Sequence, residues 1–184
     1  KLCTRCGIFN TIKPDGEGTA ANPYQISKEE ELYWFAEHVN SGNTTANAVL
    51  TGDIDFGSNK FVSIGTSSNP YGGNFDGDGH TITVNQSGRS DVAVFGSIGI
   101  CTIKNLTVTG TINTSVKFSA GIAMQVVSGC TANIENCISD VTIASDIDGD
   151  GTHGGIISVA DGYAVINNCA FMGAMSGSST NSCG

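Results

Sequence analysis

One four-residue pattern, Ile-x-Asn-(Leu/Cys), occurs three times in the second half of the chain and decides the fold prediction. The copies are Ile103-Lys104-Asn105-Leu106, Ile134-Glu135-Asn136-Cys137 and Ile166-Asn167-Asn168-Cys169. They lie 31 and 32 residues apart, and each follows an apolar run that contains or adjoins glycine. A β-like run follows each copy. A fixed period of this length indicates a structural repeat, with one supersecondary unit per copy.

Each repeat is interpreted as one coil of a parallel β-solenoid. A coil cannot bury its apolar side alone, so coils stack at the strand spacing of about 4.8 Å and share a core. The asparagines fall where the chain turns between strands, because asparagine tolerates left-handed backbone angles and its amide can bond the copies above and below. The predicted columns are Ile103/Ile134/Ile166, Leu106/Cys137/Cys169 and Asn105/Asn136/Asn168.

Composition agrees with one all-β domain. The 184 residues are 39% hydrophobic and only 14% charged, with 25 glycines. No apolar run approaches the roughly 18 residues of a membrane helix, so membrane insertion is not expected. The net charge of −9 disfavours nucleic acid and anionic membranes as partners, because the field of the molecule repels phosphates.

The sequence divides into a short N-terminal segment and the solenoid. Residues 1–20 are predicted to be a linker or the remnant of an upstream module, since Cys3 and Cys6 form a CxxC pair that suits a local disulfide or half of a metal site. Residues 21–184 are predicted to form the β-helix, with a helix at 28–40 and repeats around 94–112, 120–143 and 154–175. Ser27 and Glu30 fit a capping box, and the apolar face of the helix suits a lid over one end of the β-structure.

Several stretches resemble the bacterial surface modules that carry GLUG-motif repeats. They are Gly18–Ser27 with the Glu-rich helix after it, Leu50–Phe56, Ser63-Ile64-Gly65, Gly73–Ile82 and Val94-Phe95-Gly96. The motif is loosened here to Gly121-Ile122-Ala123-Met124 and Gly155-Ile156-Ile157-Ser158. The resemblance, which includes the non-catalytic N-terminal part of some immunoglobulin-A-cleaving metallopeptidases, implies a right-handed parallel β-helix. It also implies a secreted or surface-attached stalk, spacer or adhesive module.

An acidic stretch is the candidate metal site. Asp146, Asp148 and Asp150 stand at alternate positions before Gly151, which is the first half of a calcium loop. The twelfth position is Ile157 instead of a bidentate glutamate. The segment is therefore either a calcium site completed by backbone, Asp161 or water, or a solvated acidic loop between coils.

Two other acidic pairs are candidate catalytic groups. Asp53 with Asp55, and Asp76 with Asp78, could serve polysaccharide cleavage, which needs two carboxylates facing one sugar bond. The basic residues Arg89, Lys104 and Lys117 are scattered, and no zinc-hydrolase or serine-elbow motif occurs. The chain is therefore not expected to be an enzyme, and His153 is expected to lie exposed in a loop.

The seven cysteines and one threonine-rich strand leave alternatives open. Cys137 with Cys169, or Cys101 with Cys130, could form disulfides, but a column of buried thiols acting as small hydrophobes is the preferred interpretation. Thr107, Thr109 and Thr111 share one strand face, as in ice-binding solenoids. Their expected counterparts in the next coil, Ser139, Val141 and Ile143, favour ordinary β-propensity instead.

The predicted function is a non-enzymatic module of a secreted or surface-attached bacterial protein that presents a rigid surface for adhesion or self-association. Its expected partners are a glycan or surface protein of host or bacterium, or copies of itself through an uncapped final coil. The alternative is a β-helix protein that binds or degrades polysaccharide.

Overall fold

A computed structural model describes residues 10–88, 92–149 and 151–177, and within them the predicted all-β parallel solenoid is confirmed. One short helix, α1 (Glu29–Asn40), lies near the N-terminus of this part. The strands before residue 100 are β1 (Tyr24–Ile26), β2 (Ala48–Leu50), β3 (Ile54–Asp55), β4 (Asn74–Asp76), β5 (Thr81–Gly88) and β6 (Phe95–Ile98). Those from 101 to 145 are β7 (Cys101–Lys104), β8 (Thr107–Thr114), β9 (Phe118–Ala120), β10 (Ala123–Val126), β11 (Thr131–Glu135) and β12 (Ile138–Ser145). The remaining strands are β13 (Thr152–Gly154), β14 (Ile157–Ala160), β15 (Tyr163–Asn167), β16 (Ala170–Phe171) and β17 (Ala174–Gly177).

The strands form long parallel sheets along the solenoid axis. Sheet A has the order β1-β2-β4-β7-β11-β15, and sheet B has the order β3-β5-β8-β12-β16, with β17 also paired to β12. Sheet C joins β6, β10 and β14, and β9 pairs with β13. Neighbouring strands in a sheet are one coil apart in sequence, and sheets A and B extend through more coils than sheet C and the β9–β13 pair.

Register brings the inward-facing residues of sheet A into one column. Ile134 is paired with Ile103 on one side and with Ile166 on the other. Phe75, Ala48 and Tyr24 continue the same column toward the N-terminus. Ile103 and Ile134 are fully buried, whereas Ile166, in the last described strand of sheet A, is 47% exposed.

The three tetrad asparagines occupy one corner of the solenoid. Their φ angles are +53°, +53° and +50°, the left-handed region that asparagine tolerates better than most residues. Asn168 donates its amide to Asn136 Oδ1 at 2.9 Å, and Asn136 donates to Asn105 Oδ1 at 3.2 Å. Asn105 then donates to Asp76 Oδ1 at 2.9 Å, so a carboxylate that can only accept ends this ladder.

Gly121 and Gly155 are required by the close approach of sheet B side chains. A Cβ atom at Gly121 would lie 1.8 Å from Ser139 Oγ, and one at Gly155 would lie 2.4 Å from Phe171 Cγ. Ser139 and Phe171 are themselves in-register neighbours on β12 and β16. Each of these two glycines therefore leaves room for a side chain of sheet B.

The start of α1 corrects the predicted cap. The helix begins at Glu29, one residue later than predicted, and Lys28 is the N-cap without a side-chain capping bond. Glu31, not Glu30, reaches back: its Oε2 accepts the Ser27 N–H at 2.8 Å and the Ser27 hydroxyl at 3.0 Å. Because Lys28 also pairs with Glu31 at 3.3 Å and has extended backbone angles, the helical turn starts one residue further on.

The apolar face of α1 packs into the aromatic end of the core. The ring of Phe35 lies 6.1 Å from that of Phe75, 6.0 Å from that of Tyr71 and 6.2 Å from that of Tyr24. Tyr24 and Phe75 flank the small Ala48 in the sheet A column, so Phe35 fills the space beside it. Among the helices in the described ranges, none is long and apolar enough to cross a membrane.

The expectation that His153 is an exposed loop residue is wrong. Residues 152–154 form β13, which pairs in register with β9 and places His153 next to Ser119. His153 is only 3% exposed, and neither ring nitrogen has a hydrogen-bond partner. Burial lowers the pKa of His153, against a smaller opposing effect of the Thr152 backbone.

The four described cysteines, Cys101, Cys130, Cys137 and Cys169, are free thiols. The Cys137 thiol donates to the Glu135 carbonyl at 3.3 Å, and Cys169 donates to the Asn167 carbonyl at the same distance. Burial raises the pKa of Cys137 to about 12 and that of Cys101 to about 12. The preferred column of unreactive thiols agrees with this arrangement. Cys3 and Cys6 lie outside the described residues.

The threonine face of sheet B has a different register from the one expected. Thr107, Thr109 and Thr111 pair with Ile138, Asp140 and Thr142, not with Ser139, Val141 and Ile143. The expected counterparts are one residue out of step and point to the other face, because side chains alternate along a strand. Thr109 instead meets Thr83 of the preceding coil, with 3.0 Å between the hydroxyl oxygens.

Candidate functional site

The outer face of sheet A carries a row of charged side chains. The second position of each tetrad, where the sequence varies, points outward, and Lys104, Glu135 and Asn167 are in register there. Asp76 of β4 continues the row on the other side of Lys104. One ammonium group is thus flanked by two carboxylates on successive strands.

Asp76 is the most constrained member of this row. Its Oδ2 lies 3.0 Å from Lys104 Nζ, while its Oδ1 accepts the Asn105 amide and the Asp78 N–H at 3.0 Å. Burial acts to raise the pKa of Asp76, but the hydrogen bonds from Asn105, Asp78 and Lys104 and the charge of Lys104 outweigh it. The pKa of Asp76 is therefore lowered and the group is ionised at neutral pH.

Two asparagines fix the other end of the row. Asn47 Oδ1 accepts the Asn74 N–H at 3.0 Å and the Asn74 side-chain amide at 2.8 Å. The backbone N–H and the side-chain amide of Asn47 both bond the Gly18 carbonyl, at 2.8 and 3.1 Å. These bonds hold the segment 18–23 against the edge of sheet A.

Together these residues enclose an open groove of about 570 Å³. Its floor contains Val49, Asn74, Asp76, Thr102, Lys104 and Glu135, and its wall contains Ala20 and Pro23. The floor side chains come from β2, β4, β7 and β11, so the groove runs across four strands and along the solenoid axis. Its chemistry combines carboxylates, an ammonium group, an amide and a hydroxyl with a small apolar shelf.

The predicted calcium residues are not assembled into a metal site in the described part of the chain. Asp146 lines a separate cavity of about 450 Å³ beside Thr114 and Ser145, and Asp148 is exposed. Asp150 lies outside the described residues. Within the described ranges no group of three His, Cys, Asp or Glu side chains could hold an ion. Calcium binding here stays a prediction.

The other acidic candidates divide between two places. Asp53 Oδ1 accepts the Thr81 N–H at 2.9 Å and lies 3.1 Å from His80 Nδ1. The Thr81 hydrogen bond and then the His80 contact lower the pKa of Asp53. Asp55 accepts the Gly57 N–H at 2.8 Å, which makes it a turn residue. Asp76 belongs to the groove, and Asp78 has a φ of +48° in the turn that follows.

Sequence reasoning missed Glu135, Asn74 and Asn47 as groove residues. The signal for Glu135 was present, because Lys104 and Glu135 share the second tetrad position and therefore the outer face of one sheet. Asn47 and Asn74 carry no such signal. Their role depends on the segment 18–23 folding back to form a wall.

Comparison with known proteins finds a structure with a similar fold but assigns the chain to no family. No family model matches the chain, and no curated protein matches it. It is similar to a crystal structure from Bacteroides ovatus described as that of a candidate immunoglobulin A1 protease, with a TM-score of 0.63 and 20% identity. The match covers 89% of this chain and 62% of the other, so the chain spans about three fifths of the length of that structure. At this identity the likeness shows a shared β-solenoid fold.

Proposed function

We propose that this chain is a non-enzymatic β-helix module of a secreted or surface-attached bacterial protein and that it presents a rigid surface for adhesion. The observation that carries the proposal is the groove on sheet A. Its floor side chains stand on four hydrogen-bonded strands, so their spacing is set by the backbone before any partner arrives. Pre-organisation of this kind lowers the entropy cost of binding.

The state of the carboxylates supports a binding role over hydrolysis. A glycosidase needs one carboxyl that stays protonated at working pH, usually because burial raises its pKa. The pKa values of Asp53 and Asp76, one of which lies in the groove, are both lowered. Hydrogen-bond donors from the next coil keep each of these carboxylates ionised, and an ionised carboxylate suits a structural or ligand-binding role.

The likeness to the Bacteroides ovatus structure supports the same setting. That protein is described as a candidate immunoglobulin A1 protease. The resemblance to GLUG-repeat surface modules agrees with it. The proposal therefore includes a secreted or surface location. It gives this module the role of binding a partner, not of cleaving one.

Adhesion is tested with beads that carry the purified chain. We expect them to be retained on epithelial cells, mucus or bacterial cells in a saturable way that free chain competes away. Retention no greater than that of albumin-coated beads on all three surfaces would contradict adhesion. New fragments of immunoglobulin A1 or of polysaccharide after incubation with the chain would contradict the non-enzymatic part.

Self-association is a second candidate, favoured by exposure at the last described coil. Ile166 occupies an inward column position yet is 47% exposed, and Met172 is 67% exposed. A second copy stacked there would continue the aliphatic column. Sedimentation velocity should then detect a dimer, and Ile166→Lys should disrupt it. Ile100→Lys is the control and should leave the dimer intact, since Ile100 is 70% exposed at a different corner. A chain that stays monomeric at high micromolar concentration would rule this out.

A further inference from the structure

The groove on sheet A has a shape that fits a linear chain. It crosses four strands, and neighbouring strands are about 4.8 Å apart, so its floor extends about 14 Å along the solenoid axis. Segment 18–23 walls one side, and the groove is open to solvent. Polar side chains recur at the strand spacing along this floor, which matches a ligand that repeats along its own length.

The charges of the groove disfavour an anionic ligand. Lys104, the one basic side chain that lines it, is already paired with Asp76 at 3.0 Å. Glu135 stands in register on the other side of Lys104, and no described cation forms an ion pair with Glu135. Two carboxylates therefore face one ammonium group in a chain of net charge −9. A negatively charged polymer would be repelled both at the groove and at long range.

The same groups favour a ligand rich in hydroxyl donors. Ionised carboxylates are strong acceptors, and two vicinal hydroxyls can donate to one carboxylate as a pair. Asn74 and Thr102 add neutral donors and acceptors on the neighbouring strands. Val49, Ala20 and Pro23 offer a small apolar shelf for the C–H face of a sugar ring.

We propose that this groove binds a neutral, hydroxyl-rich oligosaccharide that lies along the solenoid axis, with Glu135 and Asn74 as its principal hydrogen-bonding residues. The inference rests on the proposed adhesive function and names the ligand class of the same site. Asp76 and Lys104 act mainly on each other and hold the floor in shape. An acidic polysaccharide or a peptide in the groove would contradict the charge argument.

Affinity electrophoresis with defined polymers tests the ligand class. The neutral probes are a β-1,3-glucan, an α-mannan and a xylan, and the anionic probes are polygalacturonate and heparin. We expect at least one neutral polymer to retard the chain and both polyanions to leave its mobility unchanged. Retardation by the polyanions alone, or by none of the five polymers, would overturn the proposal.

Matched substitutions locate the binding. Thr102→Trp fills the groove, and Thr109→Trp places the same side chain on the outer face of sheet B. Glu135→Gln removes a groove carboxylate, and Asp140→Asn removes an exposed carboxylate from sheet B. We expect at least tenfold weaker binding for Thr102→Trp and about threefold weaker for Glu135→Gln, with no change in either control. Equal binding by Thr102→Trp and the unchanged protein would place the ligand elsewhere.

The cell-adhesion assay separates this inference from the broader function. If the beads adhere to cells while no neutral polymer binds, the adhesive function stands and the ligand class is wrong. If neutral polymers bind in the groove but the beads do not adhere, the ligand class stands and the adhesive function is wrong. Urea denaturation checks that each variant is folded. The Glu135→Gln protein is expected to be as stable as the unchanged chain, because its changed side chain faces outward.

Discussion

At the scale of single residues, the corner asparagines tie sequence to structure most directly. Asparagine at three equivalent positions could be predicted to take left-handed angles, because few other residues do so at low cost. The carboxylate that ends the ladder could not be predicted in the same way. Asp76 ends β4 and pairs with Lys104, but Gly77 stands where the tetrads have asparagine, so the repeated pattern does not mark this coil as part of the ladder.

Asn136→Ala should destabilise the chain by about 2 kcal/mol. The substitution removes one ladder bond on each side and leaves a Cβ residue at φ +53° without local hydrogen bonds. Urea denaturation measures the free energy of unfolding. Asn136→Gly is the control, because it removes the amide but relieves the backbone. A glycine variant more stable than the unchanged chain would show that the ladder bonds contribute less than the backbone conformation costs.

Ser139→Ala should be neutral or stabilise the protein by about 1 kcal/mol, unlike most core substitutions. The Ser139 hydroxyl is fully buried and has no hydrogen-bond partner, so removing it relieves a desolvation cost. Val141→Ala, two residues along the same face, should instead cost about 2 kcal/mol. Thermal and urea midpoints compare the two. A loss for Ser139→Ala as large as that for Val141→Ala would mean that the hydroxyl is bonded.

At the scale of elements, the period of the apolar residues predicted α1 well, and the repeats predicted the stacking of β7, β11 and β15. Their errors are local. The helix starts one residue late because Glu31 contacts Ser27, and His153, predicted to lie in a loop, belongs to β13. The first error comes from a contact between residues four apart, and the second comes from the pairing of β9 with β13, which are far apart in sequence.

Phe35→Ala should cost about 3 to 5 kcal/mol and should loosen the N-terminal coils most. Phe35 is fully buried against three aromatic rings, and its removal leaves a cavity at the helix–sheet contact. Amide hydrogen exchange should show faster exchange in β1, β2 and β4, with less change in β12. Uniform acceleration along the whole solenoid would argue against a locally anchored helix.

At the scale of the whole molecule, the repeat predicted the shared core. It did not predict the burial of His153 or the groove on sheet A. The columns follow from the spacing of the three tetrads, because parallel strands in register superpose equivalent residues. The inward position of His153 depends on the register of β13 with β9. The groove depends on segment 18–23. Neither can be derived from periodicity.

The free energy of unfolding should fall as pH falls, in two separate ranges. The pKa values of His153 and His38 are both lowered from 6.5, chiefly by burial, so the unfolded chain takes up these protons first and stability drops below about pH 6.5. The lowered pKa values of Asp53 and Asp76 produce a second loss below about pH 3.8, by the same sign. Urea midpoints between pH 7.5 and 3 measure both ranges.

Substitution separates the two ranges of this pH dependence. His153→Leu should reduce the loss between pH 7 and pH 5 and leave the acidic range unchanged. Asp76→Asn should do the reverse. A His153→Leu protein with the same pH slope near neutrality as the unchanged chain would show that the imidazole is protonated equally in both states.

The direction of the asparagine ladder sets how such a molecule can grow. Every side-chain amide in the ladder donates its hydrogen bond toward the N-terminus, and a carboxylate accepts the last of these bonds. Duplication of a whole tetrad unit downstream of Asp76 would insert a matched donor and acceptor together. A unit inserted upstream would instead place its asparagine beside Asp76, a carboxylate that has no hydrogen to donate to it. Gene duplication can therefore lengthen this architecture on one side of a fixed starting point.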